Sequence, residues 1–174
     1  ESYIYLVLKM LYLNKNEIQA QQISLIVAEN YVISFQEEGG DVFDGIRERI
    51  RKGVGRIRKL GNDYLAYSLV DAVVDNYFII LEKIGEVIEE LEEEVIVSPN
   101  VKTSRKIHSL KNEMIYLRKA VWPLREVINQ LERSENPILK KTTKIYLRDV
   151  YDHVIQAIDN GETLRDLLSS LLDV

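Results

Sequence analysis

The sequence predicts an α+β chain: a partial α/β sandwich over residues 1–61, then long antiparallel coiled-coil helices over residues 62–174. Short runs of aromatic and β-branched residues, the signature of strands, gather in the first 40 residues. From residue 62 onward apolar residues recur at alternating intervals of three and four, the heptad by which long helices pack side by side. Two breaks, Ser98-Pro99 and Ser134-Glu135-Asn136-Pro137, divide that part into three helices.

In the first region, residues 3–8 (Tyr-Ile-Tyr-Leu-Val-Leu) read as a strand, as do residues 23–27 and 31–35, the last two parted by a turn at Glu29-Asn30. The first run is apolar on both faces, so its sheet is expected to be covered on both sides. Three strands with an abrupt start read as the end of a larger sheet. Gly39-Gly40 breaks the pattern, and Asp41, followed by Asp44, is placed to cap a helix running to Lys52 and ending at Gly53.

The first long helix is predicted over residues 63–97, with Tyr77, Leu81, Ile84, Ile88, Leu91 and Val95 on its apolar stripe. The second is predicted over 101–133. Its stripe runs from Ile107 through Leu110, Met114, Leu117, Val121, Leu124 and Ile128 to Leu131. Pro123 lacks a backbone donor and is expected to bend this helix near Lys119. The third, over 138–174, carries Leu147, Val150, Val154, Ala157, Gly161, Leu164, Leu168 and Leu171. At 1.5 Å per residue each is about 50 Å long, so this part is elongated.

Composition excludes several functions. With 23 basic against 28 acidic residues the charge is −5, which opposes nucleic acid as a partner, because phosphate contacts need a basic face. The basic run between Arg47 and Lys59 lacks interleaved aromatics. There is no cysteine, hence no disulfide, thiolate metal site or cysteine nucleophile. Two histidines do not make a histidine-rich zinc site. No serine–histidine–acid set or phosphate-cradling loop is present, and the chain reads as no enzyme. The longest strongly apolar run, residues 3–8, is far short of the roughly 18 residues of a membrane helix, and no signal peptide is visible, so the chain taken alone reads as soluble.

Charge is divided between the helices. The first holds ten acids against Lys83, and the second eight bases against three acids. With a short link between them they are expected to pair antiparallel, acidic end against basic start. Glu89, Glu90, Glu92, Glu93 and Glu94 crowd the C-terminal end of the first helix, where the macrodipole disfavours them. Two readings stand: a solvated acidic face, or a tip that collects cations.

Asp71 and Asp75 interrupt an otherwise apolar stretch four residues apart, hence on one helix face. Asp149, Asp152 and His153 make a second group on the third helix. Carboxylate-dominated groups suit hard ions such as Mg2+, and a nearby imidazole admits Co2+. The other reading pairs the aspartates with Arg or Lys of the first region and leaves His153 as a surface residue.

Several segments resemble the CorA family of magnesium and cobalt channels: Asp63-Tyr-Leu-Ala-Tyr-Ser-Leu-Val-Asp-Ala-Val-Val-Asp-Asn-Tyr-Phe78, Leu117-Arg-Lys-Ala-Val-Trp-Pro-Leu-Arg-Glu-Val-Ile128 and Tyr146-Leu-Arg-Asp-Val-Tyr-Asp-His153. The resemblance implies a homopentamer at the cytoplasmic face of the membrane. Its first two long helices would be a "willow" pair, and its third the start of a stalk helix that continues into the membrane. It implies that Mg2+ or Co2+ (Ni2+ suits the same ligands) bridges carboxylates of neighbouring subunits and holds the pore shut. Asp149 is then the first expected ligand and Asp71 the second, with Asp75, Asp152 and His153 supporting them. The two membrane helices, their Gly-Met-Asn motif and the start of the α/β domain are expected outside this sequence. The rival reading is a metal-free helical spacer or adaptor.

Overall fold

The computed structural model describes residues 3–14, 17–98 and 100–172. Three strands, β1 (Tyr3–Asn14), β2 (Glu17–Ala28) and β3 (Val32–Gln36), form an antiparallel sheet in the order β1-β2-β3. Tyr3 stands opposite Ala28 and Asn14 opposite Glu17, while Ile26 pairs with Ile33 on the other side. β1 and β2 each run to 12 residues, well past the predicted runs. The added segments hold Lys9, Gln19, Gln21 and Gln22, residues of low strand propensity that the ladder and the helices beneath hold extended.

Alternation along β1 sends Leu6, Leu8 and Met10 inward, where they are buried, and Tyr3, Tyr5 and Val7 outward, where they are exposed. Ile33 and Phe35 continue the exposed row. The expectation of a sheet covered on both sides is therefore not met in this chain, because its long helices stack against the inward face. The free edge of β1 is better protected. The carbonyls of Lys9 and Leu11 accept from the Tyr77 hydroxyl and, at 2.5 Å, from Asn76 Nδ2 of the adjoining helix, so this stretch of the edge is capped by α2 side chains.

The short helix α1 (Asp44–Lys52) ends at Gly53 in the left-handed conformation, φ 66°, as expected of a C-terminal glycine. Its start differs from expectation. Phe43 holds the N-cap position with no side-chain cap, and Asp41 instead accepts from the Phe43 amide and from the Arg47 guanidinium. That guanidinium holds the Asp41 carboxyl below its ordinary pKa.

The long helices are α2 (Asn62–Val97), α3 (Val101–Arg133) and α4 (Lys141–Ser170). Every stripe residue named above on α2 and α3 is buried, and α3 continues unbroken through Pro123. Asn100 caps α3 by accepting from the amides of Lys102 and Thr103. α4 starts later than predicted. Asn136 and its backbone form a turn through Ile138 and Leu139, and Asp63 accepts from the Lys140 amide. Pro99 and the last two residues of the predicted third helix lie outside the described residues.

Side by side, α4 is the central member, packed along both α2 and α3, whereas α2 and α3 touch little. Gly161 lies where all three meet: a Cβ there would stand 3.3 Å from Leu117 and 3.8 Å from Leu81. The expected acid–base zipper between α2 and α3 reduces to Lys106–Glu94 at 2.8 Å, reinforced by Thr103 donating to Glu94. By length and composition α2 is also apolar enough to cross a membrane, but 56% of that window is buried inside the fold, as in a core helix.

Candidate metal centre

α2 and α4 run parallel, so residues near position 73 of one face residues near position 153 of the other. This brings Asp71, Asp75 and His153 together, with one ligand atom from each lying within 4.8 Å of the others. Asp71 and His153 are partly buried and Asp75 is exposed, which leaves the group open to solvent on one side.

The electrostatics follow from that position. Burial, then the charge of Asp75, raises the Asp71 carboxyl above its ordinary pKa. His153, a Tyr67 hydrogen bond of 3.5 Å and Arg49 oppose the rise. Tyr67 is itself pushed up, first by burial and then by the Asp71 charge. It belongs to a triangle of rings with Tyr64 and Tyr146, centroids 5.2–5.3 Å apart, which anchors the first turns of α2 against α4. Neither aspartate forms an ion pair among the described residues, so the salt-bridge reading finds no partner.

The imidazole of His153 stands edge-on to Phe78 at 6.3 Å, and its Nδ1 is buried with no hydrogen-bond partner. A polar atom left in that state costs about 1–3 kcal/mol. A partly buried imidazole beside two carboxylates fits a cation site: the donor set is two hard oxygens and one ring nitrogen, which suits Mg2+ and admits Co2+.

The other expected residues lie elsewhere. Asp149 and Asp152 are exposed and outside the triad, although Asp149 lies one turn before His153 and its charge reaches Tyr67. Their charges act on the Arg148 guanidinium, which is raised chiefly by its hydrogen bond to Glu132. At the tip, Glu94 is tied to Lys106 and Thr103, which hold its pKa down, while Glu89, Glu90, Glu92 and Glu93 are exposed. Part of the basic run is engaged within the chain: Arg47 on Asp41 and Asp44, Lys52 on Glu48, Arg56 on Tyr146. Reasoning from sequence did not single out Tyr67, although a tyrosine four residues before Asp71 shares its helix face.

The profile of the family described as "CorA-like Mg2+ transporter protein" matches residues 1–174. The chain belongs to the CorA family. It is 52% identical over 176 residues to the cobalt/magnesium transport protein CorA of Thermotoga maritima, covering 100% of this chain and 50% of that protein. To the protein of the same name from Methanocaldococcus jannaschii it is 27% identical over 135 residues, covering 71% of this chain and 43% of the other. This CorA-family chain thus spans about half the length of the curated relatives it matches or less. The soluble domain of CorA from Methanocaldococcus jannaschii superposes on all of it with a TM-score of 0.88 at 21% identity, this chain covering 70% of that one. The complete CorA structure from the same organism superposes on 99% of it with the same TM-score at 20% identity, this chain covering 55% of that one. These superpositions establish the fold, an α+β one with a small antiparallel sheet and long helices.

Proposed function

We propose that this chain is part of the cytoplasmic regulatory domain of a divalent-cation channel, and that it senses intracellular Mg2+ or Co2+ and gates the pore through α4. Its domain division follows the same reading: residues 1–61 as the C-terminal part of an α/β domain, residues 62–174 as the willow helices and the start of the stalk. The observation that carries the proposal is the Asp71–Asp75–His153 group with its orphaned Nδ1. It bridges α2 and α4, so a bound cation ties the stalk to the rest of the domain and its loss releases it, a two-state device biased by a ligand. Asp149 and Asp152, both exposed on α4, contribute ligands toward a neighbouring subunit of a homopentamer. The exposed glutamates of the tip enrich cations near the pore mouth at the cytoplasmic face of the membrane. The transporter membership and the 52% identity to a cobalt/magnesium transport protein support these assignments.

Titration of the metal-free chain with Co2+, followed by visible absorption, tests the proposal. A d–d spectrum saturating at one equivalent, shifted or lost in His153→Gln, is expected. Spectra of the parent and His153→Gln that match at every concentration would sink the site and favour a metal-free spacer.

A further inference from the structure

Asp71 is the partly buried carboxylate of the metal group, and whatever touches its two oxygens decides how it meets an ion. Among the described residues its one side-chain hydrogen-bond partner is the Tyr67 hydroxyl, which donates to Oδ2 at 3.5 Å from one turn earlier on α2. No lysine or arginine forms an ion pair with it there. The difference is chemical. A guanidinium or ammonium on Asp71 would neutralise it and compete with a cation for its place. A phenol is protonated and uncharged at neutral pH, so it orients the carboxylate and leaves the full charge for an ion.

Tyr67 is itself held in place. Its ring lies 5.3 Å from that of Tyr64 and 5.2 Å from that of Tyr146, and those two meet edge-on at 5.3 Å. Tyr64 is buried on α2, and the Tyr146 hydroxyl on α4 accepts from Arg56 of the segment before α2. Rings from both helices thus fix the direction of the Tyr67 hydroxyl. A carboxylate binds an ion through one oxygen or through both. An oxygen that already accepts a hydrogen bond is the poorer donor to an ion, so Asp71 meets a cation through Oδ1.

We propose that Tyr67 is a specificity-determining residue of the metal group: by engaging Oδ2 it keeps Asp71 a one-oxygen ligand, and the group thereby favours a small octahedral ion over Ca2+. Mg2+ demands octahedral geometry at about 2.0–2.1 Å and keeps several waters, which three single donor atoms allow. Ca2+ takes about 6–8 oxygens at about 2.3–2.6 Å and gains from a carboxylate that offers both of its own. Asp71 is denied that mode, and Asp75 is the only other carboxylate of the group. The inference rests on the reading above that Asp71, Asp75 and His153 bind a cation, and it names what selects among cations there.

Tyr67→Phe, which removes the hydroxyl and keeps the ring, tests it. Co2+ is titrated into the metal-free parent and variant and followed by absorption, and Ca2+ is then added in competition. The variant is expected to bind Co2+ at least about tenfold more weakly, the usual cost of losing a partner that orients a metal ligand. The decisive quantity is the ratio of the Ca2+ to the Co2+ dissociation constant. It is expected to fall at least about tenfold in Tyr67→Phe, because Asp71 is then free to offer both oxygens. The metal-free melting temperature should stay near the parent's, since the ring still packs. A ratio equal to the parent's overturns the inference even if Co2+ binding weakens, and it leaves the metal group standing. A variant that melts far below the parent with an unchanged ratio shows the hydroxyl to be structural, and also overturns it. A parent that gives no Co2+ spectrum removes the metal group itself, and the inference falls with it.

Discussion

The carboxyl of Asp71 is partly buried beside Asp75, and burial together with that charge raises its pKa. An acid whose folded-state pKa is raised costs stability as the pH climbs through it, because the unfolded chain ionises freely. A cation bound to the ionised group offsets that cost. Asp71→Asn is therefore expected to leave the metal-free melting temperature at neutral pH unchanged or raised, while abolishing any rise on adding Co2+. Thermal melts with and without metal check this, and a large loss of metal-free stability would show Asp71 to be structural instead. In the parent the effect of Co2+ should fade as the pH falls, beginning above the ordinary aspartate range because protons compete for a carboxyl of raised pKa. The aspartate pair was legible in sequence, since four-residue spacing puts two side chains on one helix face. Its third member was legible only as a neighbour of Asp149 and Asp152. One residue is a turn of about 100° on a helix, so Asp152 points away from the side of His153, while Asp149, one turn before His153, shares its side but stays exposed outside the group.

Among the elements, the three long helices followed their heptads, and their bounds on α2 and α3 lay within a residue of expectation. The strands were less legible. Gln19, Gln21 and Gln22 have no preference for the extended state, and pairing with β1 keeps them there. The misplaced α1 cap has a similar origin: Asp41 had a choice of donors, and Arg47, six residues on, is brought to it by the first turns of the helix. Gly161 gives a prediction at this scale. It allows α4 to approach Leu117 and Leu81 closely, so Gly161→Leu should separate the helices and cost about 1–3 kcal/mol of stability by overpacking, read in urea melts. Gly161→Ala is the control. Its gain of up to about 1 kcal/mol in helix propensity opposes a contact that must yield by a few tenths of an ångström. A Gly161→Leu variant as stable as the parent would show that the helices cross without close contact there.

For the whole molecule, a cation held between α2 and α4 should act as a ligand of the folded state alone. At a hundred times its dissociation constant it adds about 2.7 kcal/mol, which for a chain of this size raises the melting temperature by roughly 5–10 °C. Hydrogen exchange should show the added protection concentrated where α2 and α4 meet, around residues 67–78 and 147–157. Protection confined to the glutamate tip would instead locate cation binding there. Sequence alone determined the number of long helices, the bounds and buried stripes of α2 and α3, the strand-rich start, the absence of thiol chemistry and the family membership, because each is set by spacing or identity along one segment. The tertiary structure decided that α4 rather than α3 is the principal partner of α2, that the sheet leaves Tyr3, Tyr5, Ile33 and Phe35 uncovered in this chain, and that His153 completes the aspartate pair. A heptad states which stripe a helix must bury. Which neighbour covers it depends on how closely two backbones can approach, and here Gly161 lets α4 come close to both of the others.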